Sequence, residues 1–146
     1  MGEWTYEAEA IMGPDKPAEK SSGTEVVRSL GGLWVQGESE CELPGGGGPA
    51  TMIITLGYDP QKKKFVGTFI GSMMSNLWIY EGELDATGKV LTLNSEGPDF
   101  SDPTRTAQYK DVIEMKSDDH RLMTSHGVGP DGKWMQFMTA NYRRTK

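Results

Sequence analysis

The sequence predicts an all-β fold, an antiparallel up-and-down meander of about ten strands closed into a barrel. Three observations predict it. The stretch Thr51 to Ser95 reads as four strands joined by three short turns, and its hairpins agree on one apolar face. Alternating segments bounded by turn residues recur on either side of it, and no segment carries a convincing helical period. Consecutive short hairpins favour a meander over the Greek-key crossings of a sandwich. Closure removes the two exposed edges, and a barrel of this size has room for an interior cavity.

In chain order, Glu3 to Met12 forms the first strand, with Trp4, Tyr6, Ala8, Ala10 and Met12 on the inner face and Glu3, Thr5, Glu7 and Glu9 outside. Pro14 and Pro17 place a polar surface loop before the next strand, Thr24 to Leu30. Gly31-Gly32 suits a two-residue hairpin into Leu33 to Cys41. That register puts Thr24, Val26, Arg28 and Leu30 inside with Leu33, Val35, Gly37, Ser39 and Cys41. Glu25, Glu38, Glu40 and Trp34 lie outside, because three glutamates cost less in water than in a core. The run Pro44 to Pro49 is a turn; without Gly-Lys-Ser/Thr and a following helix it is no phosphate loop.

For the central stretch, turns at Asp59 to Lys64, Met74-Ser75 and Asp85 to Gly88 set Tyr58 opposite Phe65, Phe69 opposite Tyr80, Gly71 opposite Trp78 and Tyr80 opposite Leu93. The inner face then holds Met52, Ile54, Leu56, Phe69, Trp78, Tyr80, Leu91, Leu93 and Ser95. Its glycines lie beside aromatic rings able to cover a neighbouring bare backbone. Gly97 to Pro103 is a loop able to lie over a barrel mouth. Arg105, Ala107, Tyr109, Asp111, Ile113 and Met115 face inward on the next strand. A Ser117 to His120 loop sets Met115 opposite Leu122, Ile113 opposite Thr124 and Asp111 opposite His126. After the Pro130-Asp131-Gly132 turn the last strand, Lys133 to Arg144, has two possible inner faces: Met135, Phe137, Thr139, Asn141 and Arg143, or Trp134, Gln136, Met138, Ala140 and Tyr142.

The 146 residues suit one domain spanning 1–146. A formal charge of -6, from 15 basic and 21 acidic side chains, argues against nucleic acid as a partner. No apolar run reaches the roughly 20 residues of a membrane helix, and the N-terminal residues lack the features of a signal peptide. A cytoplasmic location without membrane association is the expectation. Cys41 is the single cysteine, which excludes an internal disulfide, and is expected to pack as a small apolar group.

The segments GEWTYEAEA, GTEVVRSLGGLW, YKDVIEMKSDDHR and DGKWMQFMTANYRR, with the central stretch, resemble the bacterial family known as domain of unknown function 1579. The resemblance spans nearly the whole chain and implies a lipocalin-like, or calycin, barrel with no agreed activity. Gly2-Glu3-Trp4 is similar to the G-x-W start of lipocalins, whose tryptophan packs against a basic residue of the last strand. Arg143 or Arg144 would be that residue here.

The inward polar set, Arg28, Tyr80, Ser95, Tyr109, Asp111 and His126, is costly to bury unless its members pair with one another or meet a ligand. As a purely structural set, Arg28 and Asp111 would bridge or sit at a wet mouth. As a pocket for a small, largely apolar molecule with a polar or anionic end, Tyr58, Phe69, Trp78 and Tyr80 would form the walls and Arg28 with His126 would receive the head group. As an enzyme, Asp111 would orient His126 as a general base, though no nucleophile is legible. A filled barrel acting as an interaction protein is the third alternative. With only two histidines, one in a turn, no metal is expected, and no motif around His126 supports haem or another cofactor. Outward Trp34, and Trp134 in the register that turns it outward, are candidate contacts of a homodimer.

Overall fold

The computed structural model describes residues 2–11, 18–42, 48–99, 102, 104–129 and 131–145. It contains ten strands: β1 (Gly2–Ala10), β2 (Glu19–Leu30), β3 (Trp34–Glu42), β4 (Pro49–Asp59), β5 (Lys64–Gly71), β6 (Trp78–Leu84), β7 (Val90–Pro98), β8 (Thr106–Ser117), β9 (His120–Val128) and β10 (Trp134–Arg144). Each is hydrogen-bonded antiparallel to the next, and β1 pairs with β10 to close the barrel. No helix among the described residues is long and apolar enough to cross a membrane. Residues 44–47 of the turn predicted at Pro44 to Pro49, the loop prolines Pro14 and Pro17, Met12, Pro130, and Phe100, Ser101 and Pro103 of the expected mouth loop lie outside the described residues, while Pro49 begins β4. Gly97 and Pro98, read as the start of that loop, belong to β7.

The central hairpins keep the predicted inner face while changing partners. Tyr58 pairs with Phe65 as expected. Phe69 pairs with Trp78, not Tyr80, because the β5–β6 connection runs from Ser72 to Leu77 instead of turning at Met74-Ser75. Gly82, not Tyr80, pairs with Leu93. Both slips are of two residues, and a strand shifted by an even number presents the same side chains inward. The inner wall therefore includes Met52, Ile54, Leu56, Phe69, Tyr80, Leu84 and Leu91, with Leu93 fully buried behind them.

Three one-residue differences have the opposite effect. The β2–β3 loop holds Gly31, Gly32 and Leu33, so Leu30 pairs with Trp34 and Glu25 with Ser39. Glycines at φ +63° and +75° form this turn, a left-handed conformation costly for other residues. The added loop residue turns the predicted face of β2 around: Arg28 points outward and is exposed, whereas Glu25 and Val27 point in. In β8 a bulge at Lys116 lets Ser117 pair with His120 but moves Met115 onto Arg121 and Asp111 onto Ser125. Leu122, Thr124 and His126 consequently face out, and Arg121, Met123 and Ser125 face in. A second bulge at Phe137 resolves the last strand in an unexpected way, since Phe137 and Met138 both line the interior, followed by Ala140 and Tyr142. Each of the two candidate faces is used on its own side of the bulge.

The tightest packing lies where β1 and β10 meet: Trp4, Tyr6, Val27, Ala140 and Tyr142 form a buried cluster with Ala8, Cys41, Met52, Met123 and Met138 around it. Tyr6 and Tyr142 rings are 5.0 Å apart. Trp34 folds outward over Gly57, where a Cβ would stand 2.4 Å from the ring. Trp134 is likewise outward, with the Lys110 ammonium 4.5 Å from its ring centre.

Candidate functional site

The barrel is hollow. Its interior cavity has a volume of about 550 Å³ and a predominantly apolar wall, within the range of roughly 300–1,000 Å³ usual for small-molecule sites. Ile54, Leu56, Phe69, Ile113, Met123 and Met138 supply much of that wall. Rings from β6, β8 and β10 form a layer beside the cavity: Trp78 stands edge-on to Tyr109 at 5.3 Å, and Tyr109 to Phe137 at 6.3 Å. Trp78 lies directly over Gly97, where an added Cβ would be 2.3 Å from the indole. The Tyr109 hydroxyl donates to the Pro98 carbonyl at 2.7 Å, which holds its ring in place.

Two clusters of hydrogen-bonded polar side chains interrupt the apolar wall, with Ser21 and Lys89 also on it. The first is built on Asp111, placed by β8 between Leu93 of β7 and Ser125 of β9. The Ser125 hydroxyl donates to its Oδ1 at 2.6 Å, and the Tyr80 hydroxyl, from β6, donates to Oδ2. Asp111 is enclosed by the wall yet keeps accessible surface, and that surface belongs to the cavity it lines. Enclosure raises its pKa above the ordinary carboxylate value, outweighing the two hydroxyl hydrogen bonds that favour the ionised form. Burial, with the Asp111 charge adding to it, pushes the Tyr80 phenol up as well, so Tyr80 remains a proton donor.

The second group is an ion pair inside the barrel. Arg121 of β9 donates through Nη2 to Glu25 of β2, with Glu25 only 5% and Arg121 17% exposed. Ser39 donates to the other carboxylate oxygen of Glu25 at 3.0 Å. The guanidinium also lies 4.1 Å from the Tyr142 ring centre and 4.9 Å from that of Trp4. Arg144 approaches Trp4 at 4.8 Å, so a last-strand arginine does pack on the tryptophan of Gly2-Glu3-Trp4. The Trp4 indole N–H and the Tyr6 hydroxyl are buried without a hydrogen-bond partner among the described residues. Burial, with the neighbouring Cys41 thiol, raises the Tyr6 pKa.

The sequence profile of the family described as "Protein of unknown function (DUF1579)" matches residues 1–144. The chain belongs to this family. Among solved structures, the crystal structure of Rv2717c from M. tuberculosis resembles this DUF1579 barrel with a TM-score of 0.67 over 100% of this chain and 92% of that one. At 13% identity the likeness is one of fold. No curated protein matches the sequence.

Of the residues singled out in the sequence, the DUF1579 barrel brings Phe69, Tyr80 and Asp111 to the cavity wall. Trp78, Ser95 and Tyr109 stay on the inner face but pack in or beside the ring layer. Tyr58 is 51% exposed at the barrel rim, stacked on Phe65. Arg28 and His126 are outside, which removes the expected receptor for an anionic head group and separates the expected acid–base pair. His126 instead meets Thr124 Oγ1 at 2.9 Å and pairs across the strand with Lys110. Burial first, then the Lys110 charge, lowers its pKa. Sequence reasoning placed Ser39 on the inner face without assigning it to a site, and missed Glu25, Arg121 and Ser125. Alternation alone could have found those three only if the extra loop residue and the bulge had been known. No group of three or more histidine, cysteine or acidic side chains among the described residues is arranged to hold a metal.

The raised pKa of Asp111 has a definite sign in the pH dependence of stability. A carboxyl whose folded pKa exceeds its unfolded value of 3.8 favours folding most below that pH, and the contribution is lost as pH rises through the folded pKa. Urea midpoints of wild type and Asp111→Asn, measured from pH 4 to pH 8, are therefore expected to diverge, wild type losing ground to the variant as pH rises. Parallel curves would contradict this.

Proposed function

We propose that the barrel is a binding module for a small, largely apolar molecule whose polar end hydrogen-bonds at Asp111, Tyr80 and Ser125. The observation that carries this is an apolar cavity of about 550 Å³ interrupted on its wall by a carboxyl that two hydroxyls orient. Desolvating a carboxyl beside apolar space costs free energy that its two hydroxyl hydrogen bonds do not fully offset, and a ligand's polar group would offset more of that cost. The Glu25–Arg121 pair already satisfies itself and is better suited to holding β2 against β9 and β10 across the interior.

Native mass spectrometry of freshly purified protein is expected to show a co-purifying small molecule. Ile54→Trp, which fills the cavity from β4, should abolish that signal while the far-ultraviolet circular dichroism stays all-β. His126→Ala should leave binding unchanged, since its side chain points away from the cavity. An empty wild-type barrel with no thermal shift from apolar probes would overturn the proposal.

A further inference from the structure

Resting on the binding proposal above, we infer that the cavity selects apolar molecules carrying a basic amine, with the protonated nitrogen seated against the Asp111 carboxylate. The cavity is lined by two acidic side chains, Glu25 and Asp111, and two basic ones, Arg121 and, from the β6–β7 turn, Lys89. Arg121 and Glu25 cancel each other in a direct pair, further oriented by Ser39 and the ring of Tyr142. Asp111 has no ion-pair partner among the described residues. Its two oxygens are each held by a hydroxyl, from Tyr80 and Ser125. An ionised carboxylate has about four lone-pair sites, so each oxygen retains acceptor capacity beyond the bond it already makes.

The groups that touch Asp111 directly supply no cation. Leu93 flanks it on β7 and Ser125 on β9, while Tyr80 reaches it from β6. Lys110 and His126 belong to the outer face; the His126 charge favours the ionised form of Asp111 from there but forms no ion pair with it, and burial lowers the His126 pKa. Lys89 lines the cavity from the β6–β7 turn, four residues along the chain from Asp111's partner Leu93 and just beyond Val90, where the β7–β8 ladder ends. A carboxylate that is enclosed, oriented and without a counterion is complementary to an ammonium entering with an apolar tail. The same arrangement repels a carboxylate head group and gives a neutral hydroxyl only an ordinary hydrogen bond. Because enclosure raises the pKa of Asp111 in the empty barrel, an arriving ammonium would also restore its ionised form.

Isothermal titration calorimetry at neutral pH with octylamine, octanol and octanoate keeps tail length constant and varies the head group. Charge-assisted hydrogen bonds exceed neutral ones by enough to predict octylamine binding about tenfold tighter than octanol, with octanoate weakest. Asp111→Asn is expected to remove the amine preference, with octylamine losing about tenfold and falling to the level of octanol, whose own affinity changes by much less. Equal amine and alcohol affinities in the wild type would overturn the amine selectivity while leaving cavity binding intact, and this comparison needs no variant. Preference for octanoate, or an amine preference that survives in a folded Asp111→Asn protein, would equally overturn it. Failure of all three to bind would overturn both this inference and the binding proposal beneath it.

Discussion

Arg121→Met is expected to destabilise the barrel by about 3–5 kcal/mol, the cost of leaving a buried carboxylate without its counterion. Glu25 is 5% exposed and its oxygens are committed to Arg121 and Ser39, so removal of the guanidinium leaves a charge that the neighbouring hydroxyl cannot neutralise. The loss extends beyond electrostatics, because Arg121 also covers the rings of Tyr142 and Trp4. The double variant Glu25→Gln/Arg121→Met should recover most of the stability, since buried ion pairs contribute less as a whole than either partner costs when stranded. Urea denaturation of the two single variants and the double variant forms the cycle that measures this coupling. Independent, additive effects would show that the pair is not coupled.

Gly82→Ala is expected to be comparably damaging, by about 3 kcal/mol or more, because the obstruction is backbone. A Cβ at residue 82 would lie 1.8 Å from the Thr92 carbonyl oxygen and 2.9 Å from the Leu93 Cα. No rotamer change relieves that contact; β6 and β7 must separate, beside the one large side chain that is fully buried among the described residues, Leu93. Gly129→Ala is a suitable comparison, since its nearest neighbour is the Asp131 carboxylate at 3.2 Å, the end of a side chain able to turn away. Thermal or urea unfolding should show a much larger loss for Gly82→Ala. Similar losses for both would mean that the close approach is absent in solution.

How much was legible in the sequence depended on whether an error in a turn was even or odd. The β5–β6 connection was read four residues too short and the partners of Tyr80 were misassigned, yet Phe69, Trp78 and Tyr80 were still placed on the inner face. The slip between paired strands was of two residues, and side-chain direction repeats every two. At Gly31-Gly32 one further residue, Leu33, belongs to the loop, and that single step exchanged Arg28 for Glu25 inside the barrel. The bulge at Lys116 exchanged His126 for Ser125 in the same manner, replacing an imagined acid–base pair by a hydroxyl–carboxylate contact.

Local chemistry in the sequence was enough to determine the all-β class, the meander, the inward faces of β1, β3 to β8 and the inward placement of Asp111 and Tyr80, because alternation and turn residues act within a few positions along the chain. Only the tertiary structure decided which charges meet inside. Glu25 and Arg121 are 96 residues apart and come together through barrel closure, at a place set by one loop residue and one bulge. Those irregularities accommodate the curvature of the closed sheet, a constraint imposed by the whole ring of strands rather than by any one of them.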